Sequence, residues 1–325
     1  MISRRQVVLG IGAGALAPLA FAQQPAKVHR IGFLGALSAA DSEWRVEAVR
    51  AGLRDLGYLE GKNIAIEYRW AEGRYERLPE LAAELVRLKV DVLVTHATPG
   101  SLAAKQATAT IPIVIAAVAD PIASGIVARL ARSGGNITGS TYFNSELMAK
   151  RLEFLKEAFP RTKQVAVLLY PESPANGPVL KAMETAARSL KMELQQYEVR
   201  DADRFESAFT AMVKKHIGAV VIFEDPIFFA NATAIADLVV KKRLPAAGFK
   251  EFAEAGGLLG YGVNIPEMYR RAAYFVDKIL KGAKPGDLPI EQATKFELVI
   301  NLKTAKALGI TIPQSLLFRA DRVIE

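Results

Sequence analysis

Hydrophobic and polar positions along the chain form two alternating kinds of segment. Short apolar runs rich in β-branched residues predict strands, and stretches with apolar residues three and four apart predict amphipathic helices. From residue 29 to residue 143 the predicted strands are HRIGFLGA, IAIEYRWA, VDVLVTHA, IPIVIAAV and ITGSTYF. The helices predicted between them are Glu43–Leu56, Arg77–Leu88, Ser101–Ala107 and Ile122–Ala131. This order is typical of an α/β domain with a doubly wound parallel sheet.

The same alternation restarts after the glycine-rich segment SGGNITGS, with a join near Thr141–Asn144. Its strand candidates are KQVAVLLYP, ELQQYEVR, GAVVIFEDP, LPAAGF and LLGYGV, and its helix candidates are Val179–Leu190, Phe205–Lys215, Ala230–Lys242 and Glu251–Ala255. The chain therefore predicts two doubly wound parallel-sheet lobes with a ligand cleft between them.

The tail contains further elements after two complete lobes. IPEMYRRAAYFVDKILKG predicts one long helix, and KFELVINLKTAKALGITIP predicts a strand followed by a short helix. We therefore expect the chain to cross between the lobes three times. Lobe one would comprise residues 28–143 plus 265–290, and lobe two residues 144–264 plus 291–325.

The N-terminal segment has the pattern of an export signal. Arg4 and Arg5 form a basic start, a short apolar region follows, and Ala20-Phe21-Ala22 is a small-x-small cleavage pattern. We expect residues 1–22 to be a signal peptide that is cleaved after Ala22. The pair in SRRQVVL fits a twin-arginine signal or an ordinary secretion signal.

Composition narrows the class of protein. Of its 325 residues 51% are hydrophobic and 23% charged, which is typical of a globular chain. The formal net charge is +8, of which two positive charges lie in the export signal, and the basic residues are scattered on polar helix faces. This distribution argues against a nucleic-acid partner. The chain has no cysteine, which excludes disulfides, thiol nucleophiles and a lipid-modified cysteine. The predicted location is the periplasm.

Motifs for catalysis or cofactor binding are nearly absent. The sequence has no phosphate-binding loop and no nucleophile elbow, and its histidines have no zinc-like spacing. We therefore predict a protein that is not an enzyme and needs no cofactor or metal. Instead, polar residues recur just past the carboxyl ends of the predicted parallel strands, the edge where open α/β sheets bind ligands. The candidate ligand-binding residues are Ser38, Thr95, Thr98, Pro99, Asp120, Tyr142, Asn176 and Asp225.

Each of these polar residues also has a local interpretation, because Ser, Thr and Asp before a helix are common N-caps. Asp120, which follows an apolar strand and precedes Pro121, could be a catalytic acid, a ligand contact or a cap. Helix N-termini such as that in THATPGS suit a ligand carboxylate, and Asp120 and Asp225 could receive an ammonium from opposite lobes. Aromatic residues could wall an apolar ligand group; these are Tyr142, Tyr261, Phe228 and Phe229.

The sequence resembles the ABC-transporter solute-binding proteins of the tryptophan/tyrosine-type family, over roughly residues 28 to 325. The segments that carry the resemblance include GLRDLGYLEGKNIAIEYRWAEG, LPELAAELVRLKVDVLVTHATPGSLAAKQATATIPIVIAAVADPIASGIVARLARSGGNITG, KRLEFLKEAFP and LGITIPQSLLFRADRVIE. Ser133 stands where the family usually has proline. The resemblance implies a type I periplasmic-binding-protein fold. It also implies that the ligand loops lie around Ser38, Thr95–Gly100 and Asp120 in lobe one and around Asn176 and Asp225 in lobe two.

The resemblance implies an exported binder that captures a small amino-acid-like or carboxylate ligand. Its partners would be an ABC permease and ATPase complex at the inner membrane, with no nucleic acid. Two other functions stay open at this point: a sensory protein that presents ligand to a receptor, and an acid/base enzyme that uses Asp120 or the Glu224-Asp225 pair.

Overall fold

The computed structural model describes residues 28–325, so the predicted export signal lies outside the described residues. In chain order the strands are β1 (His29–Gly35), β2 (Ile64–Trp70), β3 (Val92–Thr95), β4 (Ile113–Val118), β5 (Ile137–Thr141), β6 (Gln164–Leu169), β7 (Glu193–Glu198), β8 (Ala219–Ile222), β9 (Ala246–Gly248), β10 (Leu259–Gly262), β11 (Ile290–Gln292), β12 (Glu297–Asn301) and β13 (Arg322–Ile324). The helices are α1 (Glu43–Asp55), α2 (Leu78–Arg87), α3 (Ala97–Ala107), α4 (Asn144–Ala158), α5 (Asn176–Ser189), α6 (Phe205–Lys214), α7 (Pro226–Ala230), α8 (Ala232–Lys242), α9 (Lys250–Glu254), α10 (Ile265–Leu280), α11 (Leu302–Leu308) and α12 (Gln314–Arg319).

These elements form two sheets, each the centre of one lobe. The first has the strand order β11-β5-β4-β3-β1-β2 and is parallel throughout. The second has the order β13-β12-β10-β9-β8-β6-β7, in which β12 runs antiparallel to β10. The prediction of two doubly wound α/β lobes is confirmed. The antiparallel β12 departs from the predicted parallel pattern because it returns from the first lobe rather than from a helix of the second.

The central strands are buried on both faces, as their continuous apolar sequences predict. On one face of the first sheet, α1 and α10 cover Ile31, Val92 and Val114. The two helices approach so closely that a Cβ atom on Gly52 would lie 2.4 Å from the carbonyl oxygen of Arg270. Glycine at this position therefore lets α10 pack tightly against α1. This packing fixes the position of the α10 side chains relative to lobe one.

The chain passes between the sheets three times, the number expected from the sequence. The crossings lie between β5 and α4, between β10 and α10, and between β11 and β12. At the first crossing Phe143 has a φ of 52°, in the left-handed region. Strand β11 pairs with β5, so Glu291 and Gln292 belong to the first sheet, two residues beyond the predicted boundary.

Near the first join the structure differs from the prediction in two ways. The segment Ile122–Ala131 is not a helix, because a turn over residues 121–125 ends at Gly125, whose φ is 71°. The chain then runs beside β11, where the Ile290 N–H donates to the Leu130 carbonyl at 2.8 Å. In addition, α4 was not predicted. It buries Met148, Leu152 and Leu155 against the second lobe, directly after the first crossing.

Candidate functional site

A small cavity lies between the lobes, at the carboxyl ends of the parallel strands where ligands bind in open α/β sheets. Its volume is about 30 Å³. Both lobes and the crossing helix α10 line it; the lining residues are Arg45, His96, Ala97, Ala117 and Tyr142 from lobe one, Glu224, Asp225, Pro226 and Phe229 from lobe two, and Ile265 and Tyr269 from α10.

Arg45 brings a buried positive charge to the cavity. It lies in the first turn of α1 and is 2% exposed. Its Nη1 donates to the Asp41 carbonyl at 2.7 Å, and its guanidinium carbon lies 4.3 Å from the centre of the Trp44 ring. Within residues 28–325 no ion pair joins Arg45 to a carboxylate. Since a buried guanidinium is costly unless it is paired, this side chain favours an anionic group in the cavity.

Asp225 faces the same cavity from lobe two. It is 3% exposed and precedes α7, where its Oδ1 accepts a hydrogen bond from the Ile227 N–H at 3.3 Å. The same oxygen accepts from the Tyr75 hydroxyl of lobe one at 2.6 Å. Burial raises the pKa of Asp225 to about 6, although the Tyr75 hydroxyl and the Arg45 charge both lower it. At neutral pH the side chain is a carboxylate with capacity for a further donor.

The neighbouring carboxylate, Glu224, is already paired within lobe two. Both of its oxygens accept from the Arg151 guanidinium, one of them at 2.9 Å. Arg151 also donates to the carbonyls of Tyr261, at 2.6 and 2.9 Å, and of Ile222, at 3.2 Å. The pair is almost fully buried. Glu224 therefore has its counter-charge inside the lobe, and Asp225 is the carboxylate that can take up a cationic group from the cavity.

His96 contributes a neutral ring. Its Nε2 accepts from the Ala36 N–H at 3.4 Å, so the proton of the neutral ring is on Nδ1. Burial, and after it the Arg45 charge, lower the pKa of His96 to about 3. The ring is therefore uncharged at neutral pH, and it packs 5.6 Å from the Tyr269 ring.

Aromatic side chains form the rest of the wall. The Phe229 ring lines the cavity and stacks on Phe249 with centroids 3.8 Å apart. Burial raises the pKa of Tyr142 well above its usual value, and burial raises that of Tyr269 to about 12. Both phenols are therefore neutral hydrogen-bonding groups. The cavity combines a cation, an anion and aromatic walls.

Of the eight residues predicted from the sequence, Tyr142 and Asp225 line the cavity. The other six are not among its lining residues, and ligand contact at those positions stays a prediction. Asp120 Oδ1 accepts from the N–H groups of Ile122 and Ala123 at 3.0 and 2.9 Å, so it caps the turn that follows β4. Ser38 donates to Asp41 at 2.6 Å, before α1.

The remaining four predicted residues, all outside the cavity lining, have different surroundings. Thr95 donates to the Leu34 carbonyl at 3.1 Å, between adjacent strands. Thr98 is buried, and its hydroxyl has no hydrogen-bond partner among the described residues. Pro99 lines a larger groove at the mouth of the cleft. Asn176 donates to the Tyr170 carbonyl at 2.8 Å.

Arg45 and Tyr269 were not predicted as site residues, because both lie on helices and not in the loops after strands. The helical spacing of the sequence nevertheless marks both residues. Arg45 stands four and eight residues before Val49 and Leu53, so a charged residue occupies the apolar face of α1. Tyr269 lies on the apolar face of α10, beside Met268 and Ala272.

Two kinds of feature are absent from residues 28–325. None of the helices in this range is long and apolar enough to cross a membrane. The same range contains no group of three or more His, Asp or Glu side chains placed to hold a metal ion.

A family model, a curated relative and two solved structures are similar to this chain. The family model for "ABC transporter substrate binding protein" matches residues 34–324. A tyrosine-binding protein of Clostridioides difficile (strain R20291) is 27% identical over 260 residues, which cover 79% of this chain and 74% of the relative. The crystal structure of a conserved domain protein from Vibrio cholerae O1 biovar El Tor has a TM-score of 0.84 at 27% identity, covering 91% of this chain and 100% of that one. A streptococcal ABC domain in complex with L-Trp has a TM-score of 0.83 at 25% identity, covering 92% of this chain and 100% of that one.

Proposed function

This chain belongs to the family of ABC transporter substrate-binding proteins, and we propose that it captures a small amino-acid-like or carboxylate ligand between its lobes and delivers it to an ABC permease and ATPase complex. One observation carries the proposal. The buried Arg45, which has no carboxylate partner among the described residues, lines the same cavity as the buried Asp225 of the opposite lobe. A ligand with both charges satisfies both residues.

An α-amino acid has the matching arrangement of charges. Arg45 would hold the ligand carboxylate, since a guanidinium presents paired N–H donors to two oxygens. Asp225 would accept from the ligand ammonium. The apolar side chain would lie against Tyr142, Phe229 and Tyr269. The tyrosine-binding relative and the related structure with L-Trp support an aromatic amino acid as the first ligand to test.

We propose different roles for the residues predicted from the sequence. Tyr142 and Asp225 are proposed as direct ligand contacts. Thr98 is a further candidate, because its buried hydroxyl lies two residues after His96 and has no partner among the described residues. Asp120 is proposed to hold the loop after β4. Ser38, Thr95, Pro99 and Asn176 are proposed to shape loops in the same way.

Ligand entry requires motion. A cavity of about 30 Å³ has room for ~2 water molecules, so an amino acid needs the lobes to separate or wall side chains to rotate. We propose hinge bending at the three crossings, around residues 142–143, 263–264 and 293–296. Binding of both ligand charges then favours the closed arrangement, because Arg45 and Asp225 lie on opposite lobes.

The proposed location is the periplasm. Proteins of this family are usually exported and are typically not enzymes. Residues 1–22 are proposed as a cleaved signal, either twin-arginine or an ordinary secretion signal. A neighbouring gene pair for a permease and an ATPase would favour transport over the sensory alternative.

A thermal-shift screen of amino acids and aromatic carboxylates tests the proposal. A ligand at 100 times its Kd stabilises the folded state by ~2.7 kcal/mol, which raises the unfolding temperature by several degrees. We expect at least one amino acid or aromatic carboxylate to do this. A positive result confined to another class, such as neutral sugars, would contradict the proposed ligand class.

A further inference from the structure

A contact between the lobes lies at the mouth of the cleft, on the side away from the crossings. The crossings leave the sheets at β5, β10 and β11, whereas β2 is the opposite edge of the first sheet and β6 and β7 lie at the far edge of the second. Tyr75 follows β2, and Tyr170 follows β6. Contacts between these two residues therefore join the parts of the lobes that move furthest when a hinge at the crossings opens.

We call this set of Tyr75, Tyr170 and Asp225 the mouth contact. The Tyr75 hydroxyl of lobe one donates to Asp225 Oδ1 of lobe two at 2.6 Å. The Tyr75 and Tyr170 rings are tilted against each other with centroids 4.7 Å apart. Tyr75 is 9% exposed. One side chain of lobe one thus makes both a polar and an aromatic contact with lobe two.

The mouth contact also separates two spaces. Outside it lies a groove of about 660 Å³ that both lobes line, with Pro99 and Gln106 on one side and Glu172 and Asp201 on the other. Tyr75 and Tyr170 face this groove, while Asp225 faces the inner cavity. The mouth contact therefore includes residues that line both the groove and the cavity.

We propose that Tyr75 is a latch residue, which holds the cleft closed through its hydroxyl bond to Asp225 and thereby slows ligand release. The ligand-release part rests on the proposed function, whereas the closing part does not. Because Asp225 also faces the cavity, the latch and a ligand ammonium share one carboxylate. A bound cation therefore keeps Asp225 ionised, which strengthens the bond from Tyr75.

Tyr75→Phe tests this directly, because it removes the hydroxyl and keeps the ring. Tyr58→Phe is the matched control: the Tyr58 hydroxyl donates to Asp277 at 3.0 Å, between α10 and the loop after α1, within lobe one. Both substitutions remove a tyrosine–aspartate hydrogen bond, but only one of these bonds joins the lobes. Circular dichroism and thermal melting confirm the fold of each variant.

The first measurement needs no ligand. The chain has no cysteine, so spin labels can be attached at Gln106→Cys and Asp201→Cys, two exposed positions on opposite sides of the groove. We expect Tyr75→Phe to move the distance distribution toward longer values, and Tyr58→Phe to leave it unchanged. Tyr170→Leu, which removes the aromatic contact from the other lobe, should lengthen the distances as well.

The second measurement uses L-tryptophan and L-tyrosine as probes in stopped-flow dissociation. A hydrogen bond to a charged group accounts for about a tenfold to hundredfold change, so we expect Tyr75→Phe to accelerate release by that factor. Distances and release rates that match those of the wild type in Tyr75→Phe overturn the latch. Lengthened distances with no binding of either probe would leave the closing role intact and count against an aromatic amino acid as the proposed ligand instead.

Discussion

Arg45 and Asp225 line one cavity from opposite lobes; burial raises the pKa of Asp225, and the charge of Arg45 opposes this rise although no ion pair joins the two. Both are almost fully buried. Opposite charges that are held apart on two lobes suit a ligand that carries both charges and bridges them.

Removing the Arg45 charge should abolish tight binding without unfolding the protein. Truncation of one partner of a desolvated charge pair costs ~2–5 kcal/mol, so Arg45→Gln should weaken amino-acid binding by about thirtyfold to several thousandfold. The unligated variant should melt at the same or a higher temperature, because an unpaired buried charge has been removed. Titration calorimetry and thermal melting measure both effects.

Arg50→Gln is the control for Arg45. It lies on the same helix, is more exposed, and pairs with Glu60 at 2.8 Å outside the cavity. The affinity of Arg50→Gln for the amino acid should stay within about threefold of the wild-type value, since exposed ion pairs contribute little to stability. Equal affinities of Arg45→Gln and Arg50→Gln for the ligand would show that Arg45 does not bind it.

Binding of an amino acid should weaken in acid. The pKa of Asp225 is raised to about 6, so the folded protein takes up a proton as the pH falls through this value and loses the acceptor for the ammonium. Affinity should therefore be independent of pH near pH 7. Below about pH 6 it should decrease with a slope that approaches tenfold per pH unit, while the ligand itself stays zwitterionic. Calorimetry across this range measures the slope, and Asp225→Asn should bind more weakly with no slope. A flat profile in the wild type would contradict an ionised Asp225 as the ammonium acceptor.

Asp120 should behave as a turn cap. Asparagine retains the acceptor oxygen for the Ile122 and Ala123 N–H groups, so Asp120→Asn should bind ligand within about threefold of the wild type. Asp120→Ala should lose ~0.5–2 kcal/mol of folding stability, measured by denaturant unfolding. A loss of affinity of a hundredfold or more in Asp120→Asn, with the fold intact, would make Asp120 a ligand contact.

Export should produce a shorter mature chain. If Ala20-Phe21-Ala22 is the cleavage pattern, intact-mass analysis of a periplasmic fraction should find a protein that begins at Gln23. A periplasmic protein that retains residues 1–22 would refute this cleavage site.

The repeated alternation of strands and helices was enough to predict both lobes, because each central strand is buried on both faces and is apolar along its length. Local backbone geometry explains the parts of the fold that the alternation did not predict. Ile122–Ala131 has apolar positions at helical spacing, yet Gly125 adopts a positive φ and the chain leaves the helical path. The helix α4 was missed because it begins at the first crossing, where the sequence was interpreted as a join.

The site was harder to predict because its residues meet only through the fold. The expectation that ligands bind at the carboxyl ends of parallel strands selected Tyr142 and Asp225, which follow strands and line the cavity. It could not identify Arg45, which reaches the cavity from a helix, or the Tyr75–Asp225 hydrogen bond, whose partners are 150 residues apart in the sequence. It also could not separate caps such as Asp120 from cavity residues, because the same residue types occupy both positions.

The most direct test of the central claim compares three ligands that share one indole ring: L-tryptophan, tryptamine, which lacks the carboxylate, and indole-3-propionate, which lacks the ammonium. Titration calorimetry of the wild type should give measurable binding for the amino acid and a loss of ~2–5 kcal/mol, at least about thirtyfold in Kd, for each analogue. The carboxylate-free analogue should bind Arg45→Gln no more weakly than it binds the wild type. If tryptamine or indole-3-propionate binds the wild type as tightly as L-tryptophan, the bridging of Arg45 and Asp225 by a zwitterion is wrong.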